Sequence, residues 1–274
     1  MGKNDNQPLV SVIMATFNEP VEFLSQAIES ILHQTYAHLE LLIADDSTKE
    51  ETIHAIDKYA NEDTRVSVIR EKTKMGIAVA RNRCFQAAQG KFIAIMDADD
   101  ISLPDRIERQ IQFAQSHPDI DLFGGHVNII NEKGEIVTQR TYKTTPNRFL
   151  RMFVYRNPLA HPTVFFRRKI IDEGYSYDEN FKKAEDLEFY LRLFKNGFHL
   201  INMDTTLINY RIIGDMQKKR TYDNWYYNHK ARTKNFNWRH PFFSILSWCV
   251  SYVYMYVPSK FVSSFYKKEN NRNV

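Results

Sequence analysis

Cysteine is scarce in this chain. Two residues, Cys84 and Cys249, stand among 274. They have no metal-ligand spacing and are far apart in sequence, which excludes a thiolate metal centre and a disulfide-framed small fold. A reducing, cytoplasmic setting is the expectation. The polar arm Met1–Pro8 has no apolar h-region, so no secretory signal is expected. Phosphate-cradling glycines are also missing. The loop Thr16-Phe17-Asn18-Glu19-Pro20 has neither glycine nor Lys/Arg, so it lacks the Gly-x-Gly-x-x-Gly of nicotinamide oxidoreductases. The basic, glycine-rich triphosphate loop normal for a nucleotidyltransferase is absent too. No ribonucleoprotein motif or zinc-knuckle spacing is present, so nucleic acid is not expected as a partner.

What is present is a globular composition. Apolar residues make up 43% of the chain, enough for a real core. The net charge of +4 conceals an asymmetry: Leu207–Val274 carries twelve Lys/Arg against three Asp/Glu, so the preceding residues are mildly acidic. A basic, aromatic-rich tail calls for an anionic surface.

The first 115 residues alternate strands and helices. Leu9–Met14, Leu39–Ala44, Val66–Ile69 and Lys91–Met96 are short apolar runs that read as buried strands. Between them, Leu24, Ala27, Ile28, Ile31 and Leu32 recur at helical spacing. Ser47 and Glu50 form an expected capping box. A helix is expected from about Ile77 to Gln89, and Pro104 is expected to open another. This pattern implies a mostly parallel α/β sheet with helices on both faces. Asp121–Val137 reads as extended segments with a turn at Glu132–Gly134, and Phe181–Asn196 reads as helical.

The acids mark the chemistry. Ligands of open parallel sheets bind beyond the carboxyl ends of the strands. Three strand ends carry Thr16-Phe17-Asn18, Asp45-Asp46-Ser47 and Asp97-Ala98-Asp99-Asp100. Five carboxylates on one rim repel one another unless a cation or hydrogen-bond donors sit among them. A divalent ion carrying a diphosphate meets that need. A lone Asp-x-Asp is common, and acids after strands often only cap helices. The weight comes from three clusters on one rim.

These residues resemble the inverting family-2 glycosyltransferases of GT-A fold, of the bacterial surface-polysaccharide type. The resemblance runs from about Pro8 to Arg211. It rests on Val10–Met14 with Phe17-Asn18, on Ser30–Tyr36, on Asp45-Asp46-Ser47, on Gly76 through Ala80-Arg81-Asn82, on Asp97-Ala98-Asp99-Asp100 and on Glu185-Asp186. One departure is visible: many members have a glycine between the second Asp and the Ser of the uracil loop.

The resemblance implies a hexose or N-acetylhexosamine moved from a nucleotide-diphosphate sugar, UDP in particular, to a hydroxyl. It implies donor contacts at Phe17, Asn18, Asp45, Asp46, Arg81 and Asp97. Mn²⁺ or Mg²⁺ is expected on Asp99 with Asp100 in support, and Asp186 is the expected general base. His161 and Glu185 are candidates for the acceptor side. Arg211 is a candidate for closing over the diphosphate, with Lys218, Lys219 and Arg220 as rivals. Residues 9–115 are then the nucleotide-sugar half and 116–215 the acceptor half, with 1–8 an arm and 216–274 a helical tail. A degenerate nucleotide-binding or membrane scaffold protein, or a nucleotidyltransferase, is the alternative.

Phe242–Ser259 is 18 residues without a charge. Its serines and aromatic rings suit a headgroup region better than a bilayer core. It is expected to dock the enzyme on the inner face of the cell membrane, with a helix packed on the catalytic domain as the alternative. Docking fits a glycan or polyprenyl-diphosphate-linked acceptor of the kind used for capsule, O-antigen or exopolysaccharide.

Overall fold

The computed structural model describes residues 7–214 and 222–257. Lys218, Lys219, Arg220 and the last residues of the Phe242–Ser259 run lie outside them.

The central strand β1 (Val10–Thr16) is buried almost throughout, because its apolar residues face layers on both sides. It pairs in parallel with β2 (Leu39–Asp45) and β4 (Phe92–Asp97), and β2 pairs in parallel with β3 (Val66–Ile69). The second half is mixed. The remaining strands are β5 (Ile101–Ser102), β6 (Leu122–Ile130), β7 (Ile136–Arg140), β8 (Phe165–Arg167) and β9 (Leu200–Arg211). The sheet runs β3-β2-β1-β4-β8-β6-β9-β5, with β7 paired to β6. Strand β8 is antiparallel to both β4 and β6, whereas β6 and β9 run parallel.

Two cores cover the sheet. Helices α1 (Val21–Leu32), α2 (Glu50–Glu62) and α4 (Arg106–Ser116) pack on one face, where Leu24, Ala27, Ile28 and Ile31 form the stripe expected of an amphipathic helix. Helices α3 (Ile77–Ala87), α5 (Pro146–Tyr155), the short α6 (Lys169–Asp172) and α7 (Glu185–Lys195) cover the other.

The capping box expected at Ser47 and Glu50 is not formed. Helix α2 begins at Glu50 and no side chain caps it locally. Asn18, from the β1 loop, supplies the acceptor instead. Its Oδ1 receives the N–H groups of Thr48 (2.8 Å) and Lys49 (2.9 Å), and its own N–H donates to Ser47 Oγ at 3.0 Å. Asn18 holds φ +56°, a left-handed conformation that Asn tolerates.

The tail forms a helical hairpin, α8 (Tyr222–Lys234) and α9 (Pro241–Tyr256). Helix α9 is inverted relative to an ordinary surface helix. Ser247 and Ser251 are its buried residues. Ser247 Oγ donates to the Phe153 carbonyl at 3.0 Å and accepts from Arg232 Nε at 2.9 Å. Phe242, Ile245, Leu246, Tyr252, Val253 and Tyr256 face solvent, Phe242 at 71% exposure. The helix therefore packs on the body by its small polar side and presents an apolar stripe outward. Among the described residues no helix is long and apolar enough to cross a membrane.

Candidate active site

Strand register assembles the rim. Thr16 lies opposite Asp45, and Ala15 opposite Asp97, so the three strand ends finish at one edge. The acids there have different surroundings. Asp45 is buried, its carboxylate paired with Arg70 Nε at 2.8 Å and accepting the Ser47 N–H at 2.9 Å. Asp46 is partly exposed and accepts the backbone N–H groups of Met75 (2.9 Å) and Gly76 (2.7 Å). Each of its oxygens keeps a lone pair for a further donor. Gly76 holds φ +76°, which favours glycine where this loop turns into α3. Phe17 is 44% exposed, with Lys74 Nζ 3.1 Å from its ring centroid. The loop before α3 thus closes over the ends of β1 and β2.

Arg81 links the end of β4 to the start of α7. It is buried. Its guanidinium donates to Asp97 Oδ1 at 3.0 Å and to Glu185 Oε1 at 2.8 Å. Burial works against its charge, but Asp97 and Glu185 outweigh that and hold it protonated. Asp97 is itself pushed above the usual carboxylate range by burial, with Arg81 pulling the other way.

Asp100 lies beneath the rim at 1% exposure. Its Oδ1 accepts the Arg211 N–H at 2.7 Å, while Oδ2 is buried without a hydrogen-bond partner. Burial, then the charges of Asp97 and Asp99, raise it well above the usual range. Asp99 is the partly exposed neighbour. Under both sits Arg106, fully buried, bonded to the Ile95 carbonyl at 2.8 Å and to Gln110. Burial lowers it to about 9, against the pull of Asp100 and Asp97.

Among the described residues no three His, Cys, Asp or Glu side chains gather into a metal cage. Mg²⁺ and Mn²⁺ do not require one, since one or two carboxylates plus phosphates and water suffice for Mg²⁺. A crowded acid cluster with an orphaned Asp100 oxygen fits that kind of site.

Arg211 does not reach toward a diphosphate. It is buried, its Nε donates to the Asp99 carbonyl at 2.9 Å, and its other nitrogens bond the Glu132 carbonyl and Gln26. Its guanidinium lies 4.2 Å from the Phe23 ring centroid. The residue staples the Asp-x-Asp turn to β9 rather than offering a cation.

Beyond the rim lies a cavity of about 490 Å³, bordered by Asp97 on one side and Asp186 on the other. Asp186 sits in the first turn of α7, preceded by Ala184 at φ +55°. A left-handed alanine costs roughly 1–2 kcal/mol, so the packing around it holds this turn in place. Asp186 Oδ2 accepts from Asn157 Nδ2 and Oδ1 from the Leu187 N–H, both at 2.7 Å. Burial, then the Glu185 charge, pushes its carboxyl up to about 7. His161 borders the same cavity from a 3₁₀ turn and shares a 2.6 Å hydrogen bond between Nδ1 and Tyr190 Oη. Burial, then the Arg81 charge, lowers it well below the ordinary histidine range, so its ring is neutral.

The structure adds residues that sequence reasoning missed. Asn157 orients Asp186, Tyr190 holds His161, and Arg106 sits under the acids. Trp225 and Asn228 of α8 border the cavity. Asn157 and Tyr190 each act on a residue 29 positions away, with no motif to announce them.

The sequence profile of "Glycosyl transferase family 2" matches residues 11–174. An uncharacterised glycosyltransferase of Methanocaldococcus jannaschii is 32% identical over 84% of this chain and 81% of its own. The amylovoran biosynthesis glycosyltransferase AmsE of Erwinia amylovora is 33% identical over 77% of this chain and 79% of its own. Among solved structures, S. aureus TarS 1–349 in complex with UDP-GlcNAc matches at TM-score 0.65 and 21% identity over 83% of this chain. The match spans 66% of that chain, and 40% of the longer TarS chain. The mannosyltransferase PcManGT of Pyrobaculum calidifontis, in complex with GDP-Man and Mn²⁺, matches at TM-score 0.63 and 14% identity, over 96% of this chain and 81% of its own. At these identities the solved structures establish a shared GT-A fold.

Proposed function

The chain belongs to glycosyl transferase family 2, and from that premise we propose that it moves a hexose or N-acetylhexosamine from a UDP-sugar, with inversion, to a hydroxyl of a lipid-linked glycan. The setting is synthesis of a surface polysaccharide at the cytoplasmic face of the membrane. The observation that carries the reading is that Asp97, on the donor rim, and Asp186, with its carboxyl near 7, border one cavity.

Residues 9–115 hold the donor. Asp46 and Phe17 meet the base, with Asp45 and Asn18 bracing their loops, and Asp97 meets the ribose. Arg81 pairs with both Asp97 and Glu185 and so aligns them. Asp99, backed by Asp100, would hold a divalent cation, which would supply neutralisation of the departing diphosphate.

Residues 116–215 hold the acceptor. Its hydroxyl hydrogen-bonds Asp186, whose oxygens each retain a free lone pair. The hydroxyl oxygen forms a bond to the anomeric carbon as the bond to the diphosphate breaks. The proton passes to Asp186, and the electron pair of the broken bond leaves with the diphosphate. The leaving group is an anion and needs no proton, so one carboxylate is enough. Neutral His161 borders this acceptor space without adding charge. Attack opposite the leaving group inverts the anomeric centre, with no covalent sugar–enzyme intermediate.

The outward stripe of α9 supports docking on a membrane. Apolar and aromatic side chains occupy its exposed face, Arg239 and His240 precede it, and Lys260, Lys267 and Lys268 follow in sequence. Changing Phe242, Ile245 and Val253 to serine should abolish flotation with vesicles containing phosphatidylglycerol. Unchanged flotation would remove the membrane from the proposal.

The transfer reading is tested by incubating the protein with UDP-, GDP- and dTDP-sugars and Mn²⁺, following thermal stability and release of the free nucleotide. A ligand that binds the native state raises the melting temperature by mass action. UDP-sugars should stabilise most, UDP should be released, and Asp99→Ala should remove the shift. If no nucleotide sugar shifts the melt or releases nucleotide, the transferase reading fails.

A further inference from the structure

We propose that Trp225, on the tail helix α8, is the platform on which the accepting pyranose ring stacks. The chain's C-terminal hairpin is thereby part of the acceptor site. This deepens the transfer reading above and rests on it.

Three observations meet at this helix. First, Trp225, Asn224 and Asn228 border the same cavity as Asp186 and Asp97, whereas Phe17, Asn18, Asp45 and Asp46 do not. The cavity is thus the acceptor half of the site, and α8 forms one wall of it. Its volume, about 490 Å³, falls within the range of small-molecule sites. Second, the α8 stretch of the wall, Asn224, Trp225 and Asn228, has the chemistry to hold a sugar ring. An indole offers an electron-rich face to the C–H side of a sugar ring, while amides and phenols bond its hydroxyls. Tyr142, Tyr155 and Tyr210 share the lining with the basic Arg140, Arg156 and Lys183. Trp225 Nε1 is buried and has no hydrogen-bond partner among the described residues, an unusual state for an indole N–H.

Third, the platform is held from behind. The Trp225 ring meets Tyr254 of α9 edge-on, with centroids 4.9 Å apart. The far end of α8 is pinned to the body by Lys234, which pairs with Glu188 at 2.8 Å and Asp178 at 2.6 Å. Burial raises the Asp178 carboxyl, but the bonds from Lys234 and Asn180 together outweigh it and lower it to about 2, so this anchor persists at any physiological pH. Helix α9 in turn carries the outward apolar stripe. One hairpin therefore ties the sugar wall to the face suited to lipid, as a lipid-anchored glycan requires.

The chain has three tryptophans. Replacing the two surface residues, Trp238→Phe and Trp248→Phe, leaves Trp225 as the sole indole. This variant is titrated with methyl glucoside, methyl galactoside and methyl N-acetylglucosaminide, with UDP and Mn²⁺ present. At least one pyranoside should change the emission saturably, with half-saturation on the order of millimolar. In a second measurement Trp225→Ala should raise the acceptor half-saturation by about tenfold or more. Trp225→Phe should fall between. No saturable emission change with any pyranoside, an equal change with acyclic sorbitol, or unaltered acceptor saturation in Trp225→Ala would each overturn the proposal. If the pyranosides bind Trp225 but no UDP-sugar is hydrolysed, the sugar platform stands and the donor reading falls.

Discussion

Replacing Asp186 by asparagine separates a base from a structural carboxylate. Burial and the neighbouring Glu185 raise the Asp186 carboxyl from 3.8 to about 7. The ionised form is the base, so activity should be lost as pH falls through about 7. With that midpoint roughly a tenth of the enzyme is competent at pH 6 and about nine-tenths at pH 8. Turnover of the wild type should rise about tenfold across this window, measured as UDP release at saturating donor. Asp186→Asn removes the proton acceptor and should lower turnover by on the order of 10²–10⁴-fold, with the inflection gone.

Stability should move the other way. A carboxyl whose folded value is raised contributes stability that is present below about pH 4 and lost as pH rises through about 7. The asparagine variant escapes that loss and keeps the shape of the turn. At pH 8 it should unfold at the same or higher urea concentration than the wild type, by up to about 2–4 kcal/mol, less whatever partial exposure of the side chain screens. A flat pH profile from 5.5 to 8.5, or a variant within fivefold of wild-type turnover, would refute the assignment. A variant that loses activity only because it unfolds would show Asp186 to be structural.

Other perturbations test neighbouring parts. Asn157→Ala removes a donor that favours the Asp186 carboxylate, so the activity midpoint should move upward in pH while donor binding stays unchanged. Arg81→Met leaves Asp97 and Glu185 without their buried counter-ion. It should cost about 3–5 kcal/mol by urea unfolding at pH 7.5 and less at pH 5, where Asp97, raised by burial, takes up a proton. Asn18→Ala removes the acceptor at the start of α2 and should cost about 1–2 kcal/mol, with a weaker thermal shift from UDP. Ser247→Leu forces a larger group between α9 and α5 and should destabilise by about 1–3 kcal/mol, whereas Phe242→Ser should leave the melt nearly unchanged.

The periodic parts of the fold were legible because their signals are local. The strand Val66–Ile69 has the bounds its apolar run implies, and the α1 stripe lies where its 3.6-residue spacing puts it. The start of α2 was misjudged because its acceptor is Asn18, some 30 residues earlier, and no window around Ser47 contains it. Arg211 looked like a free cation at a strand end. Its commitments to Asp99, Glu132 and Gln26 join segments up to 185 residues apart. The same holds for Asp45, whose partner Arg70 lies 25 residues on. The serines of the tail were readable as a weakness for spanning, but not as the side by which α9 grips the body.

The sequence by itself determined the alternation of strands and helices over the first 115 residues, the family, and the acids that end the parallel strands, since each follows from short-range periodicity or from residues adjacent in the chain. Tertiary structure alone decided which of those acids are already paired, that Asp186 shares a cavity with Asp97, and that α8 reaches back to wall it. Pairing, burial and the resulting protonation depend on groups brought together by packing over long stretches of chain, and no local pattern encodes that distance.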